Sequence, residues 1–198
     1  MKNPGFKIVL ASASPRRRQL FSYFGVEFIT VSPKHSEELN EARSHLSVQR
    51  LVLFNAEQKV LSVKQDWPGC LIIGSDTVVF CKNRLFPKPK DKEEAKEFLY
   101  VLSRNPHWVY TGVFMWKEGK TVFGYERTKI YMEPLSLKEI EYYFAKEEPL
   151  DKAGGFGIQG FAGTFIRRIE GCFYNVMGLP LALVRRMFKE IGITLVAQ

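Results

Sequence analysis

Three stretches of the chain hold residues whose types and spacing suit chemistry on a polyanion. In "LASASPRRRQLF", residues 10–21, Ser14 can cap a helix with Pro15 at its first position. Arg16, Arg17 and Arg18 then fall in the first turn, where backbone N–H groups gather and an anion is welcome. Three positive charges oppose the helix dipole there, so a phosphate guest would explain them; a capped helix with solvated arginines is the competing reading. In "IIGSDTVVF", residues 72–80, Asp76 stands among apolar neighbours, where a carboxylate is expensive unless paired or bound to a cation. Held that way it can bind a metal or take a proton from an attacking water, whereas an Asp at a strand edge or bulge would do neither. In "DKAGGFGIQG", residues 151–160, four glycines allow a backbone to approach a ligand or simply to turn. The stretch fits neither the Walker pattern nor G-x-G-x-x-G. His35, His45 and His107 have no ligand spacing.

The elements that must position these residues follow from hydrophobic period and capping signals. "KIVLA" (7–11) reads as a buried strand, and the helix opened by Ser14 carries Leu20, Phe21 and Phe24 until Gly25 stops it. "VEFITV" (26–31) predicts a second strand, and Leu51, Phe54 and Leu61 predict a long helix from about His45 to Val63. "CLIIGSDTVVF" (70–80) is the strongest strand signal, with a hairpin turn at Lys82-Asn83 after it. Asp91 with Glu94 predicts a helix to about Leu102, and Ser136 with Glu139 another to about Lys146. Alternation predicts strands over 107–117 and 120–133, one or two more within 164–176, and a last helix follows from Pro180 to Ile191. Helices mixed with hairpins make an α/β protein with a mixed sheet, a single domain over residues 1–198.

Composition narrows the function classes. Hydrophobic residues are 45% and aromatic residues 14% of the 198, enough for a folded core. No apolar run is long enough for a membrane helix, and "MKNPGFKIVLASASP" has no long apolar core before a small-residue cleavage site, so the cytoplasm is the expected compartment. Cys70, Cys81 and Cys172 form no C-x-x-C pair, which points away from disulfide frameworks and zinc sites. The net charge of +8 suits nucleic acid, a membrane surface or a polyanionic small molecule; its spread along the chain leaves no long stripe for a duplex.

Taken in order, "LASASPRRR", "GSDTVV", "PKPKDKEEA", "EPLDKAGGFGIQG" and "GCFYNVMGLPLALV" resemble the Maf family of nucleoside triphosphate pyrophosphatases over nearly the whole chain. The resemblance implies an elongated mixed β-sheet flanked by helices, two lobes around a central cleft, as in inosine triphosphate pyrophosphatases. It also implies cleavage of a nucleoside triphosphate between the α and β phosphates with a divalent cation, Mg²⁺ or Mn²⁺. Asp76 matches the family's general base, and Glu37 or Glu38, with Asp76, are the candidate metal ligands. Ser12, Ser14, Arg16, Arg17, Lys88 and Lys152 are candidates for holding the triphosphate. S-P-R-R, G-x-D-T and D-K-A-G-x-[YF]-G-I-Q-G resemble the branch acting on dTTP and UTP, which makes Arg16, Thr77 and Gln159 candidates for substrate choice. The amide of Gln159 can both donate to and accept from a pyrimidine edge. Where the family commonly has a lysine before an alanine on the second helix, this chain has Asn55-Ala56, with Lys59 one turn further along. The resemblance further suggests a homodimer and a link to cell division, while no stable nucleic-acid complex is expected.

Overall fold

The computed structural model describes residues 6–34 and 46–193. Glu37 and Glu38 lie outside the described residues, as do His35 and His45. The strands are β1 (Ile8–Ala11), β2 (Ile29–Val31), β3 (Leu71–Cys81), β4 (Arg84–Phe86), β5 (His107–Lys117), β6 (Lys120–Met132) and β7 (Ile166–Glu170). The helices are α1 (Pro15–Ser22), α2 (Val48–Leu61), α3 (Lys92–Ser103), α4 (Leu137–Phe144), α5 (Phe173–Val176) and α6 (Leu181–Glu190). Among the described residues the strands form one seven-stranded sheet in the order β2-β1-β3-β5-β6-β7, with β4 added to β3. β1 runs parallel to both β2 and β3, whereas β3–β4 and β6–β7 are antiparallel, so the sheet is mixed as the element order predicts.

The local signals hold where the chemistry is specific. Ser14, Ser47, Asp91 and Ser136 each accept a backbone N–H at a helix start, and Ser136 with Glu139 closes a complete capping box. Lys82 and Asn83 both take positive φ, the requirement of a two-residue hairpin turn between β3 and β4. One expectation needs correction: β2 covers only the last three residues of the predicted 26–31 strand. Within 164–176, where one or two strands are expected, there is one, Ile166–Glu170; Phe173–Val176 is a short helix that follows Gly171, whose φ of 127° breaks the extended chain.

The chain divides into two compact units: residues 1–76, 111–126 and 178–198 in the first, and residues 77–110 and 127–177 in the second. In the first, Val9, Ala11, Ile72 and Phe114 pack with Ala56 and Val60 on the apolar face of α2 and with Val63, two residues past its end. Phe21 and Phe24 of α1 and its C-terminal turn pack edge-on with Phe28 and Phe188, tying α1 to α6. In the second, Phe86, Phe98, Leu102, Ile130, Ile140 and Tyr143 form the centre of the core. Among the described residues no helix is long and apolar enough to cross a membrane.

Candidate active site

Strand order places the site in the first unit before any side chain is considered. α1 carries the chain from β1 to β2 on one side, and α2 carries it from β2 to β3 on the other side of β1. The β1–β2 and β2–β3 connections thus run in opposite directions across the sheet, and the C-terminal end of β1, with the stretch of β3 beside it, forms the switch point where ligands of parallel sheets bind. Ala11 pairs with Gly74 at that end. Ser12 follows β1 directly, and Ser75 and Asp76 follow Gly74, so three of the chemistry-bearing stretches' polar residues converge there through register alone.

Alternation along β3 separates two faces. Gly74 faces α2 so closely that a Cβ on it would lie 2.3 Å from the Ala56 carbonyl oxygen, and a Cβ on Gly112 of β5 would lie 2.5 Å from that of Val52. Both glycines therefore let the α2 backbone rest directly on the sheet. Asp76, two residues on, meets the same helix: Lys59 Nζ lies 2.7 Å from Oδ1, and Asn55 Nδ2 donates to Oδ2 at 2.9 Å. Lys59 is 1% exposed and Asp76 3% exposed, and the ammonium also donates to the Ser75 carbonyl at 3.1 Å. Asp76 is thus a buried, paired carboxylate on a strand flanked by β1 and β5, which rules out the exposed-edge alternative.

On the opposite face, Ser75 Oγ and Arg17 Nε both donate to the Gly178 carbonyl, at 3.0 and 2.8 Å. Arg17, read from sequence as a triphosphate ligand, is buried and its guanidinium is tied to the backbone ahead of α6. Ser12 Oγ accepts from the Ser14 N–H at 3.2 Å, which shapes the loop before α1. Around this loop lies a pocket of ≈ 630 Å³ whose walls include Ser12, Ser14, Arg18, Gln19, Thr30 and Ser32. Arg18 is an exposed residue on a polar pocket wall, while Arg16 is half-buried and outside that wall. No acidic residue occupies the first turn of α1, leaving its N-terminal charge uncompensated by that helix and suited to an anion.

The second unit holds the other candidates. Lys88 is exposed in the turn after β4, and the neighbouring Pro87 carbonyl accepts from Gly154 N at 3.0 Å, stitching the "PKPK" turn to the glycine-rich loop. Gly154 has φ 70° and a Cβ there would approach Leu102 and Val79, so glycine is required on both counts. Lys152 Nζ pairs with Asp151 at 2.6 Å and packs its stem along Gly157. Gln159 is exposed, beside Gly160 in the same loop. Thr77 is half-buried and, by strand alternation, faces away from Asp76. Asp76, Ser12 and Ser14 thus share one unit with Arg16 and Arg17, while Thr77, Lys88, Lys152 and Gln159 belong to the other.

Ser75 and Gly178 are site members to which motif reading gives no polar role, and Lys59 is named there only as the lysine one turn beyond Asn55. The signal for Lys59 is its spacing: Asn55 and Lys59 are polar residues one turn apart on the face of α2 that otherwise presents Val52, Ala56 and Val60. Among the described residues no three His, Cys, Asp or Glu side chains cluster to hold a metal. Among the described residues Asp76 nevertheless accepts one hydrogen bond at each oxygen, so lone pairs remain on both. A single carboxylate of this kind suits Mg²⁺, which is commonly held by one or two carboxylates and substrate phosphates.

A phosphate-friendly helix start and a buried carboxylate, both reached from the switch point of a parallel sheet segment, define a class of α/β nucleotide-handling proteins. Comparison with known proteins narrows it: the family description "Maf-like protein" matches residues 7–191, and the chain belongs to the Maf family. It is 40% identical over 187 residues to a dTTP/UTP pyrophosphatase of Bacillus anthracis, covering 94% of this chain and 96% of the relative. With a dTTP/UTP pyrophosphatase of Bacillus cytotoxicus it shares 41% identity over 184 residues, covering 93% and 95%. Among solved structures, the Ham1 protein of Staphylococcus aureus aligns with a TM-score of 0.42 and 12% identity over 65% of this chain and 72% of its own. A dITP/XTP pyrophosphatase of Mycobacterium abscessus aligns with 0.40 and 20%, over 64% and 74%.

Proposed function

We propose that this chain is a nucleoside triphosphate pyrophosphatase acting on dTTP and UTP. The observation that carries the reading is the near full-length identity to relatives so named, joined to an Asp76 that is buried, paired and set at the ligand-binding end of parallel strands. In the proposed reaction Asp76 takes a proton from water, and the water oxygen bonds to the α-phosphorus. The bond from that phosphorus to the bridging oxygen breaks, giving the nucleoside monophosphate and pyrophosphate. Ser12, Ser14, Arg16 and the α1 N-terminus hold phosphate oxygens, with Arg17 anchoring the loop as well as adding charge. Lys88 and Lys152 contribute further cationic contacts, and Thr77 and Gln159 choose the base.

A divalent cation, Mg²⁺ or Mn²⁺, belongs to the proposal, with Asp76 and either Glu37 or Glu38 as its protein ligands. Bound there, it would neutralise charge on the triphosphate as that charge redistributes. A homodimer is also proposed, from the family resemblance, and a cytoplasmic location, from the sequence reading.

The test is pyrophosphate release measured across the common and modified nucleoside triphosphates, with Mg²⁺ and with Mn²⁺. Turnover of dTTP and UTP well above purine nucleotides is the expected result. Absence of turnover on every triphosphate would sink the reading, and a purine preference would overturn the pyrimidine assignment.

A further inference from the structure

Lys59 is a fully buried ammonium in the middle of an apolar helix face, and its placement is costly unless something uses it. Its Nζ reaches Asp76 Oδ1 at 2.7 Å and the Ser75 carbonyl at 3.1 Å, while Asn55 Nδ2 holds Oδ2 at 2.9 Å. Each carboxylate oxygen of Asp76 therefore has its own donor, both donors come from α2, and the two stand one turn apart on one face. Two donors on two oxygens fix the plane of the carboxylate, which a single donor would leave free to turn. A buried ion pair is weak as a device for stability, since apolar residues of the same volume often do as well, so a positional use is the better account of this one.

We infer that Lys59 and Asn55 are a positioning pair for Asp76, with the ammonium needed on that helix face and interchangeable between the two turns. Neither residue is proposed to touch substrate. The activity arm of the inference rests on the pyrophosphatase reading, and the melting arm does not.

The test exchanges the two residues. Lys59→Asn alone leaves the Asp76 carboxylate buried without its counter-charge; kcat for dTTP should fall on the order of 100-fold with KM changed less than about 3-fold, and Tm should fall by roughly 10 °C. The double variant Asn55→Lys with Lys59→Asn keeps composition, charge and buried volume and moves the ammonium one turn. It should recover most of both losses. If Lys59→Asn does not fold, the double variant is measured directly against the parent protein. Wild-type kcat in Lys59→Asn overturns the inference, as does a double variant that regains Tm but not kcat, because a merely structural lysine behaves that way. Should the parent protein release no pyrophosphate from any nucleotide, the pyrophosphatase reading fails separately. Recovery of Tm by the exchange would then still support the pairing, and no recovery would overturn it.

Discussion

The two units bury polar groups in opposite ways. The first encloses a full ion pair, Lys59 with Asp76, under a helix pressed onto the sheet. The second encloses a neutral network: Asn175 Nδ2 donates to the Val109 carbonyl and to Thr128 Oγ1, and Thr128 in turn exchanges bonds with the backbone of Cys172. Its candidate charged ligands, Lys88 and Lys152, stand instead on turns and a glycine-rich loop. The contrast teaches where precision is kept. A group proposed to move a proton is held at both oxygens by a rigid element, whereas groups proposed to grip a flexible polyanion ride on loops that can adjust.

The sharpest way to break that comparison is Asp76→Asn. The amide keeps an oxygen for Lys59 but leaves the buried ammonium without its counter-charge, so Tm should fall by roughly 10 °C, as in Lys59→Asn, while kcat for pyrophosphate release falls further, about 10³–10⁴-fold. Steady-state kinetics beside a thermal melt distinguish this from unfolding, and retained turnover would remove Asp76 from its role.

Acid should find the neutral unit first. His107 is buried, its Nδ1 faces the Asn105 carbonyl at 3.1 Å, its Nε2 has no hydrogen-bond partner among the described residues, and burial lowers its pKa from 6.5 to about 4. Between those values the unfolded chain takes up a proton that the folded chain refuses. Its contribution is therefore complete above pH 6.5, is lost progressively as pH falls toward 4, and changes no further below that. The loss amounts to about 3 kcal/mol. Denaturant melts at pH 7 and pH 4 should show that difference shrink in His107→Gln; an unchanged difference would assign acid sensitivity elsewhere.

Gly74→Ala comes next, at about 1–3 kcal/mol, because the new methyl meets backbone rather than a yielding side chain. Lower Tm together with lower kcat is expected, since the helix that holds Asp76 must shift. Smallest are Lys88→Ala and Lys152→Ala, each expected to raise KM about 10-fold, worth about 1.4 kcal/mol, with Tm almost unchanged. A large Tm loss in either would mean that the second unit's charges are structural too, and the contrast would fail.

Much of this was legible in the amino-acid order because it is local. Alternation marks residues 107–117 and 120–133 as strands, within a residue of the observed ends, and Ser14, Asp91 and Ser136 announce their helices through side chains that reach only three residues. Asp76 was legible too, as a carboxylate in an apolar run. What escaped depends on distance along the chain. Arg17 finds its acceptor 161 residues away at Gly178, and Lys59 meets an Asp 17 residues on only because the sheet and helix bring them together. Asn55 looked like the loss of a lysine; in the fold it remains at the carboxylate, with the charge arriving from the next turn. The short helix at 173–176 escaped because an aromatic, half-apolar run of that length suits strand and helix equally.

The two glycines under α2 bear on more than packing. With no side chain at 74 or 112, the helix is seated against backbone, and its depth is fixed by atoms that cannot change rotamer. Such a seat separates two properties that usually vary together, how far the helix stands from the sheet and which of its residues point at the carboxylate. Drift in the helix sequence can then move the amine from turn to turn without moving the acid it serves. In chains related to this one, small residues at those two seats should predict which proteins tolerate that migration.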